Sequence, residues 1–270
     1  MANTIKSSTT KGSSMTSMSS MRKTALVAGV LYLLTFLSSI PAVFLQSAVL
    51  TDPLFIISGV STEQVRLGAL FDIINSLTAI GTAVALYAVI KRQNQGFAIG
   101  FVSSRLFEAT ILMIGVVSIL SIVTLQQPGA TGAQASLLVT VQQTLVTVRN
   151  WAFVLGTGVP ALNAFLLGWL MYKSRLVPRA IPVIGLIGAP LFTSWIIGYV
   201  LGVTEPGTAW HAIGVAPIFI WELSLGLWMT FKGFRKDAPL MVEAAEATEA
   251  DASPDATRRS FGTVTEGGAA

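Results

Sequence analysis

Six apolar segments, each long enough to cross a lipid bilayer, constrain this chain more than any other feature of its sequence. A hydrocarbon core about 30 Å thick is crossed by about 20 residues of α-helix. Segments of that length alternate with short polar loops at residues 24–45, 69–90, 97–122, 151–172, 181–203 and 211–231. The pattern predicts an all-α fold, a polytopic transmembrane helix bundle with six spans.

The composition agrees with a membrane protein and excludes several kinds of site. Hydrophobic residues make up 53% of the chain and charged residues 11%, whereas about 25% of the residues in a soluble domain are charged. The chain has no cysteine and one histidine, so disulfides and cysteine-based metal or iron–sulfur sites are excluded. We expect no metal and no cofactor, and the sequence indicates no particular small-molecule ligand.

The distribution of basic residues predicts the orientation of the bundle. Lysines and arginines in short loops stay on the cytoplasmic side of a membrane. The loops on one side of the six predicted spans hold four basic clusters: Arg22 and Lys23; Lys91 and Arg92; Lys173, Arg175 and Arg179; Lys232, Arg235 and Lys236. The loops on the opposite side hold only Arg66 and Arg149. We therefore expect an inner-membrane protein with both termini in the cytoplasm. Because the basic residues are divided among four loops, the lipid bilayer is the predicted partner and nucleic acid is not.

The two ends of the chain differ in composition from its middle. Residues 1–20 are rich in serine and threonine, and residues 237–270 are rich in alanine and acidic residues. Such segments bury too little apolar surface to offset the entropy lost on ordering. We expect disordered tails at 1–20 and 237–270, the second acidic and cytoplasmic, around a transmembrane domain at 21–236.

Two segments outside the spans are predicted to be helical. Ser61 and Gln64 have the spacing of a capping box, so the second helix should begin near Thr62. Residues 133–148 place apolar side chains on one helical face, at Leu137, Val141, Leu145 and Val148. This amphipathic helix would lie on the membrane surface or pack on the protein's own helices.

Proline and glycine interrupt the fourth predicted span near its middle. Pro160 follows Gly156 and Gly158, and proline removes a backbone hydrogen bond from a helix. Broken helices near the middle of the membrane form binding sites in many transporters. The sequence therefore predicts a locally irregular backbone in the fourth span.

Three ionisable residues inside the spans are candidates for a buried polar centre: Arg105, Glu108 and Glu222. Arg105 and Glu108 are three residues apart and share a helical face. Counting 1.5 Å per residue places Glu108 and Glu222 each about 16 Å inside its span, so Arg105 could bridge the two carboxylates. The favoured interpretation is a structural ion pair, and the alternative is a carboxyl group that exchanges a proton during transport.

A second set of polar residues is predicted to form a stripe that runs inward from the outer face. It comprises Asp72, Asn75 and Thr82 on the second span, Arg149 at the outer end of the fourth span, and Asn163 within the fourth span. Spacings of three and ten residues put the first three on one helical side. Interhelical hydrogen bonding is the favoured interpretation, and an outward-facing polar vestibule is the alternative.

The chain carries none of the common catalytic motifs, such as a nucleophile elbow, a phosphate-binding loop or HExxH. The single histidine, His211, stands beside Trp210 at the start of a predicted span. Aromatic residues concentrate at the membrane interface, and we expect His211 to lie there. An enzymatic role is therefore the less favoured hypothesis.

Several separated motifs carry a family resemblance. They are Arg22-Lys23-Thr24-Ala25, Arg105-Leu106-Phe107-Glu108-Ala109, Tyr172-Lys173-Ser174 with Pro178-Arg179, and Trp221-Glu222-Leu223-Ser224-Leu225-Gly226-Leu227-Trp228 with Lys232-Gly233-Phe234. Over about residues 21–234, the chain resembles a bacterial membrane family catalogued as domain of unknown function 4386. The resemblance implies a multi-span fold and implies that Arg105, Glu108 and Glu222 belong to the family's pattern. It implies no activity.

These observations favour an integral membrane protein of unassigned biochemical role with a buried polar centre. One alternative is a small-solute or proton-coupled transporter that uses this centre. Others are a membrane-embedded enzyme that acts on lipid through His211 and a carboxylate, and a regulatory module that binds a partner.

Overall fold

The computed structural model describes residues 20–243, and the regular structure of this part of the chain is entirely helical. The structure includes a 3-10 helix at Phe55–Ile57 and seven numbered α-helices: α1 Ser20–Leu45, α2 Ser47–Thr51, α3 Glu63–Ile90, α4 Gln95–Leu125, α5 Gly132–Ser174, α6 Ala180–Val200 and α7 Ala209–Phe231. Residues 239–243 are also helical. Each of the seven numbered helices except α2 is long and apolar enough to cross a membrane. The prediction of an all-α bundle with six spans is confirmed.

Side-chain caps explain where several spanning helices begin. Asn94 Oδ1 accepts a hydrogen bond from the backbone N–H of Phe97 at 3.0 Å, and the Thr208 hydroxyl accepts one from His211 N–H at 3.3 Å. Such caps satisfy backbone donors that have no partner inside the helix. Helix α3 begins at Glu63, directly after Thr62, so the predicted start is correct within one residue. The predicted capping box is not formed, because Thr62 is the N-cap residue and has no side-chain cap bond, and Ser61 Oγ accepts from Glu63 N–H at 3.4 Å.

The six spanning helices form a ring in chain order, which α7 closes by packing on α1. Glycine permits this contact, because a Cβ on Gly29 would lie 2.5 Å from the backbone nitrogen of Thr230. The guanidinium of Arg22 then donates hydrogen bonds to the carbonyl oxygens of Met229 at 3.0 Å and Thr230 at 2.7 Å. A cation at a helix C-terminus satisfies carbonyl groups that have no partner in the helix. The first and last spans are thus joined at their ends.

Residues 133–148 do not form a separate surface helix. They are the first part of α5, a helix of 43 residues that is about 64 Å long and therefore extends well beyond the membrane core. The predicted contact face was wrong at Leu137, which is 65% exposed, but correct at Leu145, which packs on the protein. Gln142, which was not placed on that face, is 2% exposed. Gln142 faces the protein because its amide bonds the backbone of the segment between α1 and α3, donating to Asp52 O and accepting from Ile56 N.

We use the name cap for the layer formed by α2, the 3-10 helix and the first part of α5. Val49, Phe55, Ile56 and Leu138 of the cap share one apolar core with Val65 of α3. This arrangement agrees with the alternative in which residues 133–148 pack on the protein's own helices.

The expected irregularity around Pro160 is also absent, because α5 continues through this residue without a break. The two preceding glycines have a packing role instead. A Cβ on Gly156 would lie 2.8 Å from the Leu112 side chain, and one on Gly158 would lie 2.5 Å from the Ile196 side chain. The glycines therefore let α4 and α6 approach α5 closely, as small residues do in membrane helix pairs.

The folded region extends past the predicted boundary at residue 236. Arg235 N–H donates to the carbonyl of Leu176 at 2.9 Å, Ala238 is buried, and Leu240 and Met241 pack against the bundle core. The predicted disorder at 1–19 and at 244–270 lies outside the described residues.

Three cation–aromatic pairs mark one surface of the bundle, which we call the basic side. Each pair stands at a helix end: Lys91 over Tyr87 at 5.4 Å, Lys173 over Trp169 at 5.0 Å and Arg179 over Tyr172 at 4.8 Å. Aromatic rings and basic side chains of this kind occupy the membrane–water interface. Six crossings bring both ends of the described chain to this same side, opposite the cap.

Candidate functional site

The strongest polar feature inside the bundle is a network around Arg105 on α4. Its Nη1 lies 3.1 Å from Oε2 of Glu108, one turn along the same helix. Its Nη2 lies 2.6 Å from Oε1 of Glu222 on α7. Arg105 therefore bridges the two carboxylates, and its residue surface is only 2% exposed. We call this network, with the side chains that bond to it, the charged centre.

Two further helices complete the charged centre. Tyr32 on α1 accepts a hydrogen bond from Arg105 Nη2 at 2.9 Å. Asn163 on α5 donates from Nδ2 to Oε2 of Glu108 at 2.7 Å, and the Ser104 hydroxyl bonds Oδ1 of the same asparagine. Side chains from α1, α4, α5 and α7 thus meet at one point in the ring.

Close helix packing positions these groups. Gly226 on α7 lies one turn from Glu222, and a Cβ added there would be 3.0 Å from Cβ of Tyr32. The α1–α7 contact therefore brings Tyr32 and Glu222 to the same guanidinium. The aromatic rings of Tyr32 and Phe101 lie 5.1 Å and 5.8 Å from the Arg105 guanidinium carbon, where a cation is attracted to the ring faces.

The charges of the centre do not balance when both carboxylates are ionised. One guanidinium faces two carboxylates, so one negative charge is in excess. The side chains of Glu108 and Glu222 are only 9% and 14% exposed, and an uncompensated charge in such surroundings is costly. Uptake of a single proton would neutralise the network, which makes proton binding the chemistry best suited to it.

A separate polar cluster lies toward the cap. Gln46, at the end of α1, donates from Nε2 to Oδ2 of Asp72 at 2.6 Å. Its Oε1 accepts a hydrogen bond from Nη2 of Arg149 at 3.3 Å. We call these three residues the glutamine-bridged cluster. Gln46 is fully buried and was missed in the sequence, where the only signal is a polar residue directly after an apolar segment.

The predicted polar stripe is divided between these two sites. Asp72 and Arg149 belong to the glutamine-bridged cluster, whereas Asn163 belongs to the charged centre. Thr82 is buried and donates its hydroxyl proton to the Ala79 carbonyl of its own helix at 2.6 Å. Asn75 is half-buried. The stripe is therefore not one continuous polar path.

His211 has an aromatic environment near the start of α7. Its ring centroid lies 4.2 Å from that of Trp195 and 6.4 Å from that of Phe192. Its Nδ1 accepts a hydrogen bond from Gly207 N–H at 3.3 Å. Within residues 20–243, the ion pairs do not include His211, and no group of three His, Asp or Glu side chains is arranged to hold a metal.

Comparison with known proteins places this architecture in a family. No curated protein and no solved structure matches the chain. The sequence model of the family described as a domain of unknown function, DUF4386, matches residues 27–233. This match contains all six spanning helices in whole or in large part and the three ionisable residues Arg105, Glu108 and Glu222 of the charged centre, and it covers well over half of the 270 residues. The chain therefore belongs to the DUF4386 family, a domain of unknown function.

Proposed function

We propose that this protein is a proton-coupled transporter of a small solute in the bacterial inner membrane, with both termini in the cytoplasm. The orientation is supported by the basic side of the bundle, because basic loops remain in the cytoplasm. The observation that carries the proposed function is the placement of one guanidinium between two carboxylates in the interior of the bundle.

Charge balance supports proton binding at this site. With one carboxyl group protonated, the charged centre is neutral overall, and Arg105 retains a partner in the remaining carboxylate. With both ionised, the excess charge lies in a region of low dielectric. The two states therefore differ strongly in electrostatic energy, and the binding or release of one proton converts one state into the other.

The helix contacts suggest how this change reaches the rest of the bundle. Glu222 is the only one of the two carboxylates that joins a different helix to Arg105, at 2.6 Å. Neutralising Glu222 weakens the attraction between α7 and α4, whereas neutralising Glu108 weakens an ion pair within α4 and the hydrogen bond that Glu108 accepts from Asn163 on α5. A ligand shifts a conformational equilibrium only through different interactions with the two states, and protonation of Glu222 supplies such a difference.

A structural lock is the second candidate function, and a specific observation favours it. Tyr32 and Asn163 are hydrogen-bonded to Arg105 and Glu108, so the network can serve as a fixed joint between four helices, with Arg105 Nε as its one buried group that has no partner among the described residues. A fixed joint keeps the same protonation state throughout the working pH range, whereas a coupling site does not.

Infrared spectroscopy of the purified protein in lipid distinguishes the two functions. Protonated and ionised carboxyl groups absorb at different frequencies, so a titration between pH 5 and pH 9 reports proton uptake. We expect the wild type to show a carboxyl signal that changes over this pH range. The signal should be lost in Glu222→Gln or in Glu108→Gln, depending on which of the two carboxylates takes up the proton. Glu205→Gln is the matched control, since Glu205 is an exposed carboxylate in a loop, and the signal should remain in that variant.

Transport is measured on the same variants in proteoliposomes with an imposed pH gradient and an internal pH-sensitive dye. A panel of small solutes should include one that increases proton movement in the wild type and in Glu205→Gln, but not in Glu222→Gln. An unchanged infrared spectrum across the pH range, or equal proton movement in all three proteins, would refute proton coupling and leave the structural lock.

A further inference from the structure

A groove on the lipid-facing surface lies between α3 and α4, close to the basic side. It has a volume of about 220 Å³ and is lined by Val84, Tyr87, Ile99, Val102 and Ser103. Val84 is 62% exposed and Ile99 is 47% exposed. Both belong to spanning helices, so the groove opens toward the bilayer and its natural contents are acyl chains.

A cation stands at one end of the groove. The ammonium group of Lys91 lies 5.4 Å from the centroid of the Tyr87 ring, and that ring forms part of the groove wall. Lys91 follows Tyr87 by one helical turn and Val84 by about two, which places these wall residues about 6 Å and 10 Å deeper along the helix axis. Arg92 is the next residue and is exposed.

The combination of a cation above an apolar groove matches the parts of an anionic phospholipid. The phosphate-bearing headgroup resides at the interface, where Lys91 and Arg92 are found, and its acyl chain begins at the depth of Tyr87 and Val84. Basic side chains next to a site between membrane helices are a recurring feature of lipid recognition. A zwitterionic lipid would fill the same groove but would gain less from the two positive charges.

We propose that the α3–α4 groove with Lys91 and Arg92 is a binding site for one anionic phospholipid. The groove accepts the acyl chain, and the basic pair binds the headgroup. The site is separate from the charged centre, because its wall residues Val84, Ile99 and Ser103 are exposed whereas Arg105 is buried inside the ring. This proposal is independent of transport.

Native mass spectrometry of the full chain in detergent tests the site with phosphatidylglycerol and phosphatidylcholine of identical acyl chains. We expect the wild type to retain phosphatidylglycerol more strongly, and Lys91→Gln to reduce that preference about fivefold. Lys173→Gln is the matched control, since Lys173 also sits over an aromatic ring at the basic side. An equal loss in the two variants, or no loss in either, would overturn the proposal.

A second pair of variants tests the groove rather than the charge. Ile99→Trp fills the groove and should reduce retention of both lipids, whereas Leu77→Phe adds bulk to an exposed position of α3 and should not. Photo-crosslinking of the unmodified protein with phosphatidylglycerol that carries a diazirine in its acyl chain needs no variant. Labelling should concentrate at Val84, Ile99 and Val102, and labelling spread evenly over the spans would contradict the site.

Discussion

The charged centre and the glutamine-bridged cluster join oppositely charged side chains in different ways. In the centre, Arg105 touches Glu108 and Glu222 directly, at 3.1 Å and 2.6 Å. In the cluster, the amide of Gln46 stands between Asp72 and Arg149, which form no ion pair within the described residues.

The difference follows from the number and burial of the charges. Arg149 is 8% exposed, Arg105 is 2% exposed, and Asp72 is only half-buried. A neutral amide that both donates and accepts hydrogen bonds can satisfy one cation and one carboxylate without bringing them into contact. Two carboxylates in a deeper site require a cation between them, so removing that cation should cost more than removing any member of the cluster.

The largest expected effect is therefore at Arg105. Replacement by Met leaves two carboxylates buried without a cation and should lower the free energy of unfolding by about 3–5 kcal/mol. Reversible unfolding in mixed detergent micelles measures this loss, with Arg66→Met at an exposed position as the control. The triple variant Arg105→Met/Glu108→Gln/Glu222→Gln should recover most of the stability. A triple variant as unstable as Arg105→Met would show that lost packing, and not charge, causes the effect.

The second effect concerns the close contact that positions Glu222. Gly29→Ala forces a methyl group to within 2.5 Å of Thr230 backbone nitrogen, and we expect it to cost up to about 3 kcal/mol in unfolding free energy. Gly115→Ala near the glutamine-bridged cluster is the matched variant. There the nearest atom, Arg149 Cγ, would be 3.7 Å away, so little change is expected. Equal stability of the two variants would mean that the ring closure is looser than these distances indicate.

A third variant tests how far the cap depends on glutamine amides. Gln142→Ala removes the donor to Asp52 O at 2.6 Å and the acceptor for Ile56 N at 2.8 Å, and should cost about 2 kcal/mol. Hydrogen exchange should accelerate in residues 46–60 and remain unchanged around Arg105. Gln143→Ala, at the exposed neighbouring position, should alter neither. Acceleration that spreads to the charged centre would show that the two regions unfold together.

The smallest effect is expected at Asp72. Asp72→Asn keeps an oxygen that can accept the hydrogen bond from Gln46, and the cost should be about 0.6 kcal/mol, an average value for interhelical hydrogen bonds in membranes. Thermal unfolding in the same micelles provides the comparison with Glu63→Gln, an exposed carboxylate on the same helix. A loss as large as that of Arg105→Met would remove the distinction between the two sites.

The sequence predicted the parts of the fold that depend on local composition. The six spans, the start of α3 and the shared helical face of Arg105 and Glu108 all follow from hydropathy or from residue spacing. The depth of Glu222 was also available by counting residues, and it placed this carboxylate at the level of Glu108. The parts missed were the contacts of Tyr32, Asn163 and Gln46, together with the protein-facing side of residues 133–148.

Those misses have a common physical reason. A hydropathy profile gives the position of a residue along the membrane normal, but not the rotation of its helix toward a neighbour. Asn163 bonds Glu108 because α5 is rotated so that this side chain faces α4, and Gly156 lets the two helices approach closely. Gln142 is buried because its amide forms hydrogen bonds with the backbone of the cap. The periodicity of apolar residues in the sequence does not indicate such bonds.

The sequence alone determined that the chain crosses a membrane six times and that its basic loops share one side, since transfer energies are properties of individual residues. Only the tertiary structure decided that one arginine holds two carboxylates while one glutamine separates Asp72 from Arg149. Which polar groups meet depends on helix rotation and ring closure, and these are set by packing between residues far apart in the chain.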